Sequence, residues 1–497
     1  MVVEHHVCNA NSGNITAMLK LANFINGRYC APVNNQYIDN IEPATGLVYE
    51  HIPSSDSADL ELAVAAAENA LPAWRNMPLD QRADILLKIA QGIENNLTEL
   101  ATAEAIDNGK PIGLATTIDI PRAASNFKFF AHACSQFSSE AHNMAGSAIN
   151  YTLRQPIGIV GCISPWNLPL YLFTWKIAPA LAAGNCVIAK PSEVTPKTAY
   201  LLGKICQQAG LPNGVLNILH GTGAGIGSVI CDHPKVKAIS FTGGTKTGAA
   251  IASQVAGQFK KLSLELGGKN PALIFADCNL NDTIDEIFRA SFANQGQICL
   301  CASRLYIERS IYDKFKTALV SKAQALIPQD PLLKNTQMGA IVSIDHLSKI
   351  KHYIEQAKLA GGAVLCGGEQ VQLEGRCAQG YFLQPTIIEG LSNDAVCNQE
   401  EIFGPVITLQ PFDNDEQALT LANDSSYGLA ATVWTNNLTR AHHFAEQLQT
   451  GIVWINCWLL RDLRTPFGGM KHSGVGREGG MEAMRFFTET KNVCIKY

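Results

Sequence analysis

Between residues 158 and 275 this chain alternates short apolar runs with stretches of helical periodicity, and that alternation constrains its fold more than any other feature. The runs at 157–163, 186–189, 216–219 and 238–241 read as buried strands. Helical segments lie between them. The best defined covers residues 199–209, with Leu201, Leu202, Ile205, Cys206 and Ala209 on one face. Strands alternating with helices make βαβ units and a parallel sheet covered by helices on both faces. Such a sheet takes nucleotides at the carboxyl ends of its strands. A second series follows, with runs at 272–275, 304–307, 406–409, 431–434 and 451–455, and reads as a second α/β domain. Residues 58–96 read as two helices, and the strand-like pieces 148–153 and 492–497 fall outside both series. A chain of 497 residues exceeds one core and implies two or three domains.

Composition narrows the partners. A net charge of -5 offers no basic footprint for nucleic acid. No apolar run reaches the ~18 residues of a membrane span. The N-terminal stretch lacks a basic segment followed by an apolar one, so it is expected to be a disordered leader through residue 20 and not a secretory signal. A cytoplasmic protein with reduced thiols is therefore expected. No Cys-x-x-Cys pair is present, and no metal is expected; His5, His6 and Cys8 read as leader residues. The sequons at Asn14 and Asn150 read as chance matches.

The chemistry-bearing residues lie at the junctions. Ser291-Phe-Ala-Asn-Gln-Gly-Gln-Ile-Cys299-Leu-Cys301-Ala-Ser-Arg304 places a cysteine in a loop of small and amide residues. Leu264-Glu265-Leu266-Gly267-Gly268-Lys269 offers a carboxylate beside two glycines. A thiolate attacks carbonyl carbon and a carboxylate activates water, so the pair points to covalent catalysis with a general base. Cys301 reads as a structural thiol that could oxidise with its neighbour.

Both stretches resemble the active-site signatures of the NAD(P)-dependent aldehyde dehydrogenase superfamily. The resemblance implies an aldehyde dehydrogenase fold: a Rossmann-like NAD-binding domain at 21–138 and 156–266, an α/β catalytic domain at 267–468, and a small β oligomerisation arm at 139–155 and 469–497. It implies a homodimer or homotetramer. It also implies that Cys299 is the nucleophile, Glu265 the base and Asn167, in Ile163-Ser-Pro-Trp166-Asn167-Leu168-Pro169, the oxyanion donor. Lys176 and Glu478 resemble positions tied to proton relay.

The glycine loop Gly221-Thr-Gly223-Ala-Gly225-Ile-Gly227 lets a backbone approach a pyrophosphate, although its spacing departs from G-x-G-x-x-G. Lys190-Pro-Ser192-Glu193 resembles the ribose-binding motif of the family. A carboxylate at Glu193 accepts from the ribose hydroxyls of NAD and repels the 2'-phosphate of NADP. Glu401 and Phe403 resemble the second ribose clamp. Phe241-Thr-Gly243-Gly244 resembles the phosphate-side turn, with Gly244 where many relatives carry serine. Ile163, Trp166 and Leu266 complete the expected NAD surface.

Within the family the chain most resembles the branch of 2-aminomuconic and 2-hydroxymuconic semialdehyde dehydrogenases. That resemblance rests on the segments 119–131, 165–172 and 455–471. It implies that Arg122 and Arg461 bind a substrate carboxylate, with Leu168, Trp175 and Phe467 lining the aldehyde's path. Arg464 reads as structural. Leu168 argues against trimethylammonium aldehydes, which call for an aromatic cage. The alternative readings are a broader NAD-dependent enzyme for apolar aldehydes such as retinal, and a catalytically silent relative. The second is at odds with the presence of both Cys299 and Glu265. The 2-amino and 2-hydroxy substrates present the same carboxylate and stay undivided.

Overall fold

The computed structural model describes residues 19–497, so His5, His6 and Cys8, read as leader residues, and the sequon at Asn14 lie outside the described residues. Residues 19 and 20, expected in the leader, are part of a sheet. Leu19–Lys20 runs parallel to Leu47–Pro53, because the backbone amides there have a strand edge to join.

The first large sheet has eight strands, in the order Gly474–Val475, Lys261–Glu265, Val236–Thr242, Ile159–Ile163, Cys186–Lys190, Leu216–Ile218, Asn23–Ile25 and Arg28–Cys30. The five from Lys261–Glu265 to Leu216–Ile218 are parallel, as buried apolar runs joined by helical crossovers require. Register aligns their carboxyl ends: Glu265 pairs with Thr242, Phe241 with Ile163, and Ile163 with Lys190. Residues from four separate motifs therefore emerge side by side at one rim.

Helix Pro169–Ala182 is almost entirely buried against this sheet. It packs against Ile120–Gln136, which in turn lies on Leu79–Asn95. Helix Ser57–Arg75 starts in a capping box, with Asp56 and Asp59 accepting from each other's backbone amides.

The second sheet has seven strands, in the order Ala363–Cys366, Thr386–Glu389, Val406–Phe412, Ala302–Glu308, Asn270–Ile274, Ala430–Trp434 and Ile452–Ile455. All but the first run parallel. Asn270, at the start of its strand, donates to the carbonyls of Cys299 (2.7 Å) and Cys301 (2.9 Å) and accepts from the Ala430 amide. The cysteine loop is thereby pinned to the sheet's leading edge.

A separate three-stranded sheet joins Thr488–Lys496, Ala148–Pro156 and Ala141–Met144. The expected arm at 469–497 is too long. Gly474–Val475 adds antiparallel to Lys261–Glu265, the Ser473 carbonyl accepts from the Leu266 amide (2.9 Å), and helix Gly480–Phe486 packs on Pro169–Ala182. These pairings hold the segment up to Phe487 against the main body. No helix among the described residues is long and apolar enough to cross a membrane.

Candidate active site

The loop leading to Cys299 is strained and heavily braced. Asn294, Gln295 and Gly296 lie consecutively at φ values of 50°, 56° and 69°, a conformation that costs L-residues roughly 1–2 kcal/mol each. Side-chain amides hold it. Asn294 donates to the Asn167 carbonyl (3.0 Å), while Gln295 donates to the Ala340 carbonyl (2.8 Å) and accepts from the Gly339 amide (3.2 Å). A Cβ at Gly296 would sit 2.2 Å from the Gly404 carbonyl oxygen, so only glycine allows this approach.

Cys299 is half-buried at the wall of a cavity of about 200 Å³. Asn167, Trp166, Leu266, Glu401 and Phe403 line the same cavity. The Asn167 side-chain amide donates one hydrogen to the Gln297 carbonyl (3.0 Å), which fixes its plane and leaves its second hydrogen free. Burial, and then the carboxylates Glu401 and Glu265, push the Cys299 thiol well above its ordinary range. A thiol held protonated in this way attacks carbon only when a neighbouring group takes its proton.

Glu265 is buried, and neither carboxylate oxygen has a protein partner. Burial and the nearby Glu478 hold its pKa well above the usual carboxylate range, against the pull of Lys176 and Arg461. Behind it lies a closed polar cluster. Lys176 Nζ donates to Glu478 Oε1 (2.7 Å) and to Ser240 Oγ (3.1 Å), and Ser240 donates to the same Glu478 oxygen (3.1 Å).

The strand rim that carries Thr242 and Lys190 has the features of a dinucleotide site. Glu193 accepts from Lys190 Nζ (2.9 Å) and from the Gly223 amide (3.2 Å). Burial raises its pKa, but the Lys190 ammonium overrides this and holds it below its ordinary value. A carboxylate kept ionised there can accept from a diol. Cβ atoms added at Gly223 and Gly244 would meet nothing within 4 Å, so both glycines face open space. Gly244 precedes helix Thr245–Ala256 and supplies no side-chain cap, which leaves the helix's first amides free for an anion. The hydroxyls of Ser164, Thr242 and Thr245 are buried without partners. Glu401 accepts from the Gly268 amide (2.9 Å).

The remaining residues expected on this side take supporting places. Phe241 packs beneath Gly243, where a Cβ would approach its ring to 2.4 Å, and Gly227 lies over the Lys190 stem. Ser192 Oγ accepts from the Val194 amide at 3.4 Å within its turn, and Ile163 is buried at its strand end. Two lining residues escaped sequence reasoning. His346 and Lys349, three apart behind the helix-capping Ser343, face the cavity together. His346 Nε2 lies 2.7 Å from the Phe403 carbonyl, and Phe403 itself has a φ of 61°. That polar i, i+3 pair was the available signal.

Near Glu265 lies an aromatic box holding two cations. Arg461 lies over Trp175 (4.4 Å to the ring centroid) and Phe467 (4.0 Å), while Arg122 lies over Tyr171 (5.3 Å) and Trp175 (6.0 Å). Nε and Nη2 of both arginines are buried with no protein acceptor. Burial above all, and Arg122 in addition, pull Arg461 below its ordinary pKa. Leu168 is buried just before helix Pro169–Ala182. Arg464 is exposed and paired with Asp462 (2.6 Å), away from the box.

The family model described as "Aldehyde dehydrogenase family" matches residues 30–493. The chain is 48% identical to the 2-aminomuconic semialdehyde dehydrogenase of Bos taurus over 97% of its length and 99% of that protein's. It is 46% identical to the 2-hydroxymuconic semialdehyde dehydrogenase of Pseudomonas sp. (strain CF600), over 96% of its length and 100% of that protein's. Among solved structures, the NAD+ complex of an aldehyde dehydrogenase from Bacillus cereus superposes with a TM-score of 0.94 at 38% identity, covering 96% of each chain.

Proposed function

This chain belongs to the aldehyde dehydrogenase family, and from that premise we propose that it oxidises 2-aminomuconate 6-semialdehyde, or its 2-hydroxy analogue, to the dicarboxylate with NAD. One observation carries the substrate reading: two guanidiniums face an aromatic box beside Glu265 with four buried nitrogens and no acceptor. Leaving charged donors unsatisfied is costly. A substrate carboxylate supplies the missing acceptors, and an apolar aldehyde such as retinal does not.

As Cys299 Sγ attacks the aldehyde carbon, its proton leaves through water to Glu265. The free hydrogen of the Asn167 amide and the Cys299 N–H meet the charge that develops on oxygen, a contribution of roughly 3–4 kcal/mol per donor. NAD, when bound, supplies the acceptor for the hydride lost by the tetrahedral carbon. The thioester then left on Cys299 is hydrolysed by water whose proton goes to Glu265. Water beside Glu265 carries its proton onward to the cluster of Lys176, Ser240 and Glu478. Glu193 and Glu401 would hold the two riboses of NAD, and the amides at Gly244 and Thr245 would hold its phosphates. Ionised Glu193 selects NAD over NADP.

The exposed three-stranded arm, with Met144, Leu153 and Ile495 open to solvent, serves to pair with a second copy of the chain in a homodimer or homotetramer. The described cysteines are free, in keeping with a cytoplasmic location. The test is a steady-state comparison of both muconic semialdehydes with hexanal. A kcat/KM for the semialdehydes at least about a hundredfold above that for hexanal is expected from two charge-assisted contacts. Equal values would overturn the reading.

A further inference from the structure

Lys110 is wholly buried and joins two buried carboxylates, Glu104 (3.2 Å) and Asp119, in a cluster far from solvent. Each partner leads to a segment of the proposed site. Glu104 accepts, through its second oxygen, from the Leu170 amide (3.2 Å). That is the first N–H of helix Pro169–Ala182, since Pro169 has none, and Asn167 lies just before it. Asp119 ends a π-turn, Ala115–Asp119, in which the Ile120 amide donates to the Ala115 carbonyl. Helix Ile120–Gln136 continues from there, with Arg122 in its first turn.

A π-turn inserts one residue into a helix, and each inserted residue rotates all later side chains by roughly 100°. The direction of Arg122 therefore depends on the turn. Thr116 and Thr117 bond back to the carbonyls of Ile112 (2.8 Å) and Gly113 (2.7 Å), which supports the turn only locally. The Asp119 to Lys110 contact ties it to the body of the protein. The preceding residues reinforce that anchor. Asn108 donates to the Trp166 carbonyl (2.9 Å), and the Gly109 carbonyl accepts from the Ala340 amide (2.8 Å).

We infer that Lys110 is a positioning residue for substrate selection: by gripping Asp119 and Glu104 it fixes the π-turn that aims Arg122 at the aldehyde's carboxylate. The inference rests on the reading of Arg122 as a carboxylate ligand. A cluster serving stability alone would weaken every substrate alike when lost. Loss of this one weakens binding of the carboxylate-bearing substrate alone.

The test measures kcat, KM and Tm of the full chain with 2-hydroxymuconate semialdehyde and with hexanal. Lys110→Met should raise KM for the semialdehyde about tenfold, with kcat and the hexanal KM within about twofold, because uniform binding of the carboxylate is lost. Lys110→Arg, which keeps the charge, should stay within about threefold of the parent. Because Lys110→Met strands two buried carboxylates, the neutral triple variant E104Q/K110M/D119N is made beside it and should show the same selective rise. Equal changes for both aldehydes, or an unchanged semialdehyde KM in a folded variant, overturn the inference. Arg122→Ala separates the two levels. If it treats both aldehydes alike, the carboxylate reading fails and the positioning role falls with it; if it is selective while the Lys110 and triple variants are not, only the positioning role fails.

Discussion

Arg461 lays its guanidinium over the ring of Phe467 with Cζ 4.0 Å from the centroid, and Trp175 covers it from another side at 4.4 Å. The aromatic faces hold the cation in place without neutralising it. Arg461→Ala should therefore lower kcat/KM for a muconic semialdehyde by about ten- to a hundredfold, the worth of one charge-assisted hydrogen bond. Hexanal, which lacks the carboxylate, should be oxidised as well as before or better. Steady-state kinetics on both aldehydes decide the matter: a common factor for the two would make Arg461 a structural residue.

Glu265 has no protein partner at either oxygen, so its proton exchanges only with water or substrate. Glu265→Gln should release NADH in a first turnover and then stall, with an acyl adduct on Cys299 visible by intact-protein mass spectrometry. Cys299→Ala should release none while still binding NAD. The raised pKa of Glu265 adds a pH signature. The ionised base is populated only as pH rises above the usual carboxylate range, so hydrolysis of the acyl-enzyme should accelerate with rising pH. Parental turnover by Glu265→Gln would remove the residue from the mechanism.

Glu193 is held ionised by Lys190 at 2.9 Å, next to the open face at Gly223. A 2'-phosphate brought there meets like charge. NAD should be preferred to NADP by at least about tenfold in kcat/KM, or about 1.4 kcal/mol, and Glu193→Ser should narrow the gap. Equal use of the two cofactors by the parent protein would contradict the assignment.

The parallel sheets were legible because their signal is local. The runs at 186–189 and 431–434 fall within the strands Cys186–Lys190 and Ala430–Trp434. The motifs around Cys299, Glu265 and Asn167 were also contiguous in sequence, and the structure brings them together at one cavity and the rim beside it. What escaped depends on distant partners. Ser473 reaches Leu266 across more than two hundred residues, and no periodicity near 473 distinguishes a sheet strand from an arm. Lys110 carries no motif, the segment from Asp119 drew notice only for Arg122, and a π-turn has the same apolar spacing as an ordinary helix until one residue is in excess.

Asp107 shows how the buried polar network behind the site responds to pH. Its carboxylate accepts from Tyr49, from Asn40 (2.7 Å) and from the Lys197 amide (2.7 Å). Burial, then the neighbouring Glu50, raise its pKa to about 7 in spite of those donors. In the unfolded chain the same group titrates near 3.9. Between these values the native protein binds a proton that the unfolded chain has released, so this group's contribution is full below about pH 4 and is lost as pH rises through about 7. Asp107→Asn removes the titration while keeping an acceptor in place. The melting temperature of the parent, relative to Asp107→Asn, should fall steadily from about pH 4 to about pH 7 and level off above. A difference that stays constant across that window would show that Asp107 is ionised throughout, with Lys197 and Asn40 outweighing burial.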